Sequence, residues 1–191
     1  MKSKAEIIRS VLAGKRVLDI GGAGFGADNA YERELCAAWG KVAKRFVVDA
    51  DARADLQVDL NRLPLPDLAS YGPWDYVTLF DVLEHLEHPA DVLRWAPAPR
   101  ILVTLPNAVS PLARRMEERG NMSHIASYTL YTAGRLLERA GWTVLNRAFS
   151  MGKWSLQARL ANAIGSLCPA HVATGIFLEA RRHVSAEYMT P

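Results

Sequence analysis

Val17-Leu18-Asp19-Ile20-Gly21-Gly22-Ala23-Gly24-Phe25-Gly26 is the stretch that decides the fold. Val17, Leu18 and Ile20 make a short buried strand, and the glycines after them let the chain turn tightly and admit a ligand close to the backbone. Asp28–Trp39 resumes helical spacing and closes at Gly40. Strand, glycine-rich turn and helix therefore follow one another. Such a turn serves a phosphate as readily as another ligand, and two features narrow the choice. No lysine follows in the Gly-x4-Gly-Lys spacing of a phosphate loop, and Asp19 stands in the strand just ahead of the turn. A carboxylate there repels pyrophosphate and suits an ammonium group, held directly or through water.

Outward from this stretch the pattern repeats. Ala5–Ala13 carries Ile7, Ile8, Val11 and Leu12 at helical spacing and stops at Gly14. Arg45–Asp49, Leu56–Leu60, Trp74–Asp81, Arg100–Leu105, Trp142–Ala148 and Thr174–Arg182 read as further strands. Pro89–Trp95 and Thr129–Ala140 read as helices, and the connection between the second and third strands is too short for a full one. Strands alternating with helices predict an α/β fold, doubly wound and Rossmann-like, with a largely parallel sheet covered on both faces. Ligands of such sheets bind at the carboxyl ends of the strands, near the switch in strand order.

A length of 191 residues predicts one domain, with residues 1–14 as an N-terminal helix. Residues 108–128 and 151–170 read as cover segments above the strand ends. No window offers about 18 uncharged apolar residues, and Met1–Arg9 lacks a secretory apolar stretch, so no membrane span is expected. Cys36 and Cys168 are too few for a disulfide framework or thiolate metal site, which predicts reduced thiols and a cytoplasmic protein. Charge is uneven. Residues 1–95 hold 12 basic and 15 acidic side chains, whereas residues 96–191 hold 11 and 5. Solvated helix faces explain the excess in the second half, as does an anionic substrate. Without a basic stretch interleaved with aromatics, nucleic acid is not favoured as a partner. The sequence sets no oligomeric state.

Asp49 ends the second strand, where a carboxylate accepts hydrogen bonds from two ribose hydroxyls. Asp59 ends the third, where it can accept a hydrogen bond from an adenine amino group, with the Leu60 backbone at the ring edge. Each aspartate alone reads equally as a turn or cap residue. Three at successive strand ends point to an adenosyl ligand. VLDIGGAGFG, FVVDAD, LQVDLNRLPLPD, WDYVTLFDVLEHLEHPADVL and RILVTLPN together resemble the class I S-adenosylmethionine-dependent methyltransferases, in the branch whose fourth strand leads into Leu-Glu-His. The resemblance covers residues 15–150. It implies a seven-stranded sheet whose last strand is antiparallel, and S-adenosylmethionine as cofactor. It places Asp19, Gly21, Gly22 and Gly24 at the methionine end, Asp49 and Ala50 at the ribose, Asp59 and Leu60 at the adenine, and Asp81 near the transferable methyl. Ala23 and Phe25 stand where the family usually has glycine.

Asp81, Glu84 and His85 share a face if the chain coils after the fourth strand, and His124 returns over the same strand ends. Two carboxylates and two imidazoles suit a divalent cation such as Mg²⁺. A similar acid-x-x-Glu-His arrangement with a later histidine occurs in small-RNA 2′-O-methyltransferases, and its Glu-His part in ubiquinone-biosynthesis O-methyltransferases; there it binds a metal. Asp81 replaces their glutamate. The alternative is that Glu84 and His85 merely organise the turn. His124, with His85 beside it, is the candidate general base, since imidazole exchanges a proton near neutral pH. Asn107, Tyr128, Tyr131, Met151 and Trp154 are candidate acceptor-pocket residues. The expected reaction is methyl transfer to a small-molecule hydroxyl of a sugar, phenol or lipid-linked intermediate, with nitrogen second. Two other readings stay open. One is a non-catalytic S-adenosylmethionine-binding regulator of a partner protein, the other an NAD-dependent dehydrogenase.

Overall fold

The computed structural model describes residues 3–23, 29–111, 113–115, 124–150 and 169–183. Seven strands form one sheet in the order β3-β2-β1-β4-β5-β7-β6. They are β1 (Arg16–Ile20), β2 (Lys44–Asp49), β3 (Leu56–Gln57), β4 (Tyr76–Phe80), β5 (Arg100–Pro106), β6 (Trp142–Ser150) and β7 (Gly175–Arg182). The pairs β1–β2, β2–β3, β1–β4 and β4–β5 are parallel, while β7 runs antiparallel between β5 and β6. The doubly wound sheet with an antiparallel last strand is thus the one expected. Strand order switches between β1 and β4, which opens a crevice at their carboxyl ends.

Alternation along the strands divides the core. Leu18 and Ile20 of β1 point to one face, with Val77, Leu79, Ile101 and Val103, and meet α3 (Pro89–Trp95) and α4 (Leu130–Arg139). Val17 points to the other face with Tyr76, Phe80, Leu102 and Phe177, against α1 (Lys4–Ile7) and α2 (Ala30–Trp39). Because both faces are covered, β4 is buried at all five positions, and Thr78, the polar residue in its Tyr-Val-Thr-Leu-Phe run, is buried with the rest.

Some boundaries differ from expectation, for local reasons. The first helix starts at Lys4, capped by Ser3 and Glu6, and widens into a π-helix over Ile8–Leu12. Asn29 caps α2 by accepting the Glu32 N–H, so that helix begins at Ala30. The third strand is two residues long rather than five. Asp59 accepts the Asn61 N–H at 3.0 Å, and that turn leads the chain off the sheet. A four-residue helix, α5 (Pro169–Val172), precedes β7. Among the described residues, no helix is long and apolar enough to cross a membrane.

Candidate active site

The turn after β1 is shaped by two glycines. Gly21 has φ +75° and donates its N–H to Val48 O at 2.7 Å; a Cβ there would overlap Val82 Cγ2. Only glycine meets both demands. A Cβ on Gly22 would overlap the Asp19 carboxylate. Beyond them, the Ala23 N–H donates to Asp49 Oδ2 at 3.0 Å, so the tip of β2 clamps the turn. Asp49 Oδ1 accepts the Asp51 N–H at 3.1 Å.

Asp19 lies beneath this turn, 1% exposed. Its Oδ2 accepts two hydrogen bonds from Arg45, at 2.9 and 2.6 Å, and its Oδ1 accepts one from Thr78 Oγ1 at 2.5 Å. The same guanidinium donates to Gly22 O at 2.8 Å and stacks on the Trp39 ring at 4.4 Å. Burial pushes the Asp19 carboxyl upward, against the pull of Arg45 and Thr78 toward the ionised form. Arg45 therefore ties strand β2, the Asp19 carboxylate and the turn backbone into one unit.

At the end of β4, Asp81 adopts φ +58°, the one non-glycine residue with positive φ among those described. Asparate tolerates this left-handed region better than most residues, and such strain concentrates at functional sites. Thr104 Oγ1 donates to Asp81 Oδ1 at 2.9 Å, and the Lys4 ammonium binds Oδ2. Burial alone would lower the Lys4 pKa, but the Asp81 charge with Tyr31 beside it outweighs burial and raises it.

The Leu83–His85 turn follows at once. Glu84 is 1% exposed, and its carbonyl accepts the N–H groups of Ile125 (2.8 Å) and Ala126 (3.2 Å), which draws His124 over the turn. His124 Nε2 lies 4.0 Å from Glu84 Oε1, and the His85 and His124 rings meet edge to face at 4.6 Å. One ligand atom from each of Glu84, His85 and His124 lies within 4.8 Å of the others. Asn61 pins the turn from the side, accepting the Glu87 N–H at 2.9 Å.

A family profile described as a methyltransferase domain matches residues 5–147, well over half of the chain. This chain belongs to the methyltransferase-domain family. A comparison with curated protein sequences gives no match. Solved structures share its fold at low identity. An S-adenosylmethionine-dependent methyltransferase from Archaeoglobus fulgidus is 16% identical with a TM-score of 0.62, covering 94% of this chain and 95% of that one. A chain from the complex of the Haloferax volcanii Trm112 methyltransferase activator with a methyltransferase is 12% identical with a TM-score of 0.61, covering 94% and 88%. The [4+2]-cyclase SpnF is 16% identical with a TM-score of 0.57, covering 95% and 81%, so the fold is not confined to methyl transfer.

In this methyltransferase the predicted residues separate by place in the fold. Gly21, Gly22, Asp49 and Asp81 come together around the crevice, with Asp19 bracing the turn from below. Glu84, His85 and His124 cluster beside Asp81, whose own carboxylate is held by Lys4 and Thr104 instead. Asp59 lies past the end of β3, exposed and paired with Arg62 at 3.1 Å, while Leu60 is buried and the Ala50 carbonyl accepts the Gln57 amide at 2.8 Å. Asn107 is buried and bonds the carbonyls of Ala170 and Ala173, and Tyr131 is exposed. Tyr128 is buried, with its hydroxyl on Leu83 O at 3.5 Å. Gly24, Phe25, Gly26, Met151, Trp154 and Cys168 lie outside the described residues, with most of the second cover segment. Sequence reasoning missed Lys4, Arg45, Thr78 and Thr104. A cation at Arg45, in a strand bound to lie beside Asp19, was the one available signal.

Proposed function

We propose that this methyltransferase moves a methyl group from S-adenosylmethionine to a hydroxyl oxygen of a small molecule above the tips of β1, β2 and β4. The observation that carries the reading is the Glu84–His85–His124 cluster, which sits one turn beyond Asp81 at the end of β4. The bare backbone at Gly21 and the Asp49 carboxylate at the β2 tip suit a ribose and the linker beside it. Asp19 then acts through Arg45, fixing the turn rather than meeting the ligand's ammonium directly.

S-adenosylmethionine supplies the methyl on a sulfonium that is already a good leaving group. The chain's task is to align the acceptor, exclude water and take one proton. His124 accepts the hydroxyl proton. The buried Glu84, 4.0 Å from Nε2, stabilises the imidazolium that results, and His85 fixes the ring edge-on. A second reading rests on the same atoms. Glu84, His85 and His124 have the spacing to hold a divalent cation, which would polarise the acceptor oxygen. Two imidazoles and one carboxylate favour a transition metal over Mg²⁺.

The test is turnover of labelled S-adenosylmethionine on a panel of sugars, phenols and polyprenyl-type alcohols, beside calorimetry with S-adenosylhomocysteine. His124→Ala is expected to cut kcat by about 10²-fold while leaving cofactor affinity within twofold. A loss confined to cofactor affinity removes His124 from the acceptor site. Binding by the wild-type protein without methylation of any acceptor favours the regulator.

A further inference from the structure

The basic excess of the second half of the chain leads away from the crevice. Arg100 begins β5, and Arg181 and Arg182 end the antiparallel β7, so all three reach the edge of the sheet opposite the carboxyl ends of β1 and β4. They meet Lys15, Asp75 and Tyr76 there around a cavity of about 530 Å³. Four cations thus face one carboxylate.

That carboxylate is already committed. Asp75 accepts from the Arg16 N–H at 2.8 Å and from its guanidinium at 3.3 and 2.9 Å, and this grip lowers its pKa to about 2. Arg100 is partly committed too, to Glu179 at 3.1 Å and the Tyr76 hydroxyl at 3.2 Å. Arg182 stacks on Trp142 at 4.2 Å and donates to the carbonyls of Arg94 and Ala96, which fixes its position without neutralising its charge. Among the described residues neither Lys15 nor Arg181 makes an ion pair within 4 Å, although the Lys15 charge adds to that of Arg16 in lowering the Asp75 carboxyl. Moreover Arg100 and Arg181 are direct cross-strand partners in the β5–β7 ladder. Like charges placed opposite one another destabilise a sheet unless an anion lies between them.

We propose that this cavity is an anion site for an oligophosphate, separate from the methyl-transfer crevice. Planar guanidinium forks at Arg100 and Arg181 match phosphate oxygens in pairs, and Lys15 adds a point charge. The cavity has room for more than one phosphate, and several fixed cations reward a ligand with several charges. The acceptor then has no need of the negative charge that the sequence left open for it, because these arginines serve another ligand.

Titration calorimetry with tripolyphosphate tests this on the intact protein, beside ATP and a single-stranded oligonucleotide. Tripolyphosphate is expected to bind whether or not S-adenosylhomocysteine is present. Arg181→Gln and Lys15→Gln should each weaken it about tenfold, and Arg181→Lys by less. Circular dichroism melts check that the variants stay folded, as exposed side chains predict. Equal affinity for ATP and tripolyphosphate assigns recognition to the phosphates alone. Tighter ATP binding names a nucleotide as the source, and either result supports the site. Displacement of tripolyphosphate by S-adenosylhomocysteine, affinity unchanged in Arg181→Gln, or binding of the oligonucleotide alone overturns it.

Discussion

Replacing Arg45 by methionine isolates the buried Asp19 carboxylate beneath the glycine turn after β1. The Asp19 side chain is 2% exposed and that of Arg45 25%, so the pair is shielded on the carboxylate side and reachable by water on the other. Methionine keeps most of the apolar stem over Trp39 but removes the hydrogen bonds of 2.9 and 2.6 Å to Asp19 and the one to Gly22 O. Stranding one member of a buried pair costs about 3–5 kcal/mol. Water entering where the guanidinium stood, and the surviving Thr78 bond, favour the lower figure of about 3 kcal/mol. At roughly 2–4 °C per kcal/mol for a chain of this size, the midpoint should fall by about 6–12 °C.

The loss carries a pH signature. Burial already raises the Asp19 carboxyl, and without Arg45 it rises further. A folded-state pKa above the unfolded value contributes stability that is complete below about pH 3.9 and lost as pH rises through the folded value. The deficit of Arg45→Met against wild type should therefore be smallest near pH 4 and grow toward pH 8. Urea denaturation followed by circular dichroism measures it. Asp19→Asn in the same chain should recover about 2 kcal/mol as a coupling energy in a double-mutant cycle. A deficit under about 1 kcal/mol, or two substitutions that simply add, would refute the view of Arg45 as the brace of the turn.

Gly21→Ala forces a Cβ into a φ of +75° and against Val82, for a loss of about 3 kcal/mol and weaker S-adenosylhomocysteine binding; an unchanged midpoint would count against the tight turn. Asp75→Asn should leave neutral stability within about 1 kcal/mol, because the pair with Arg16 is solvent-screened. The depressed Asp75 pKa of about 2 contributes stability that is present above the unfolded value and lost as pH falls through the folded one. The wild-type curve should accordingly be steeper than the variant's between about pH 4 and 2, and superimposable curves would remove the pair from acid stability. Exhaustive chelation decides whether Glu84, His85 and His124 work with a metal. Lost turnover restored by Zn²⁺ or Mn²⁺ supports it, and full turnover in the chelator excludes it.

Local pattern carried the framework. The largely apolar runs at Val17–Ile20, Tyr76–Phe80 and Ile101–Leu105, broken only by Asp19, Thr78 and Thr104, specify strands by local pattern, and Gly21 marks the turn by its own backbone freedom. Leu-Glu-His likewise held its candidate residues within one turn of chain, and the structure sets His124, named with them from the sequence, edge-on to His85. What the sequence left undecided is which charges meet. Asp19 finds Arg45 from 26 residues away, and Asp81 finds Lys4 across 77. Asp59 shows the converse, an apparent strand end that becomes an exposed turn because its own carboxylate caps Asn61. Periodicity and turn chemistry act between covalent neighbours and can be read along a line. Ion pairs depend on distance through space, and that distance exists only once the sheet has brought its strand tips together.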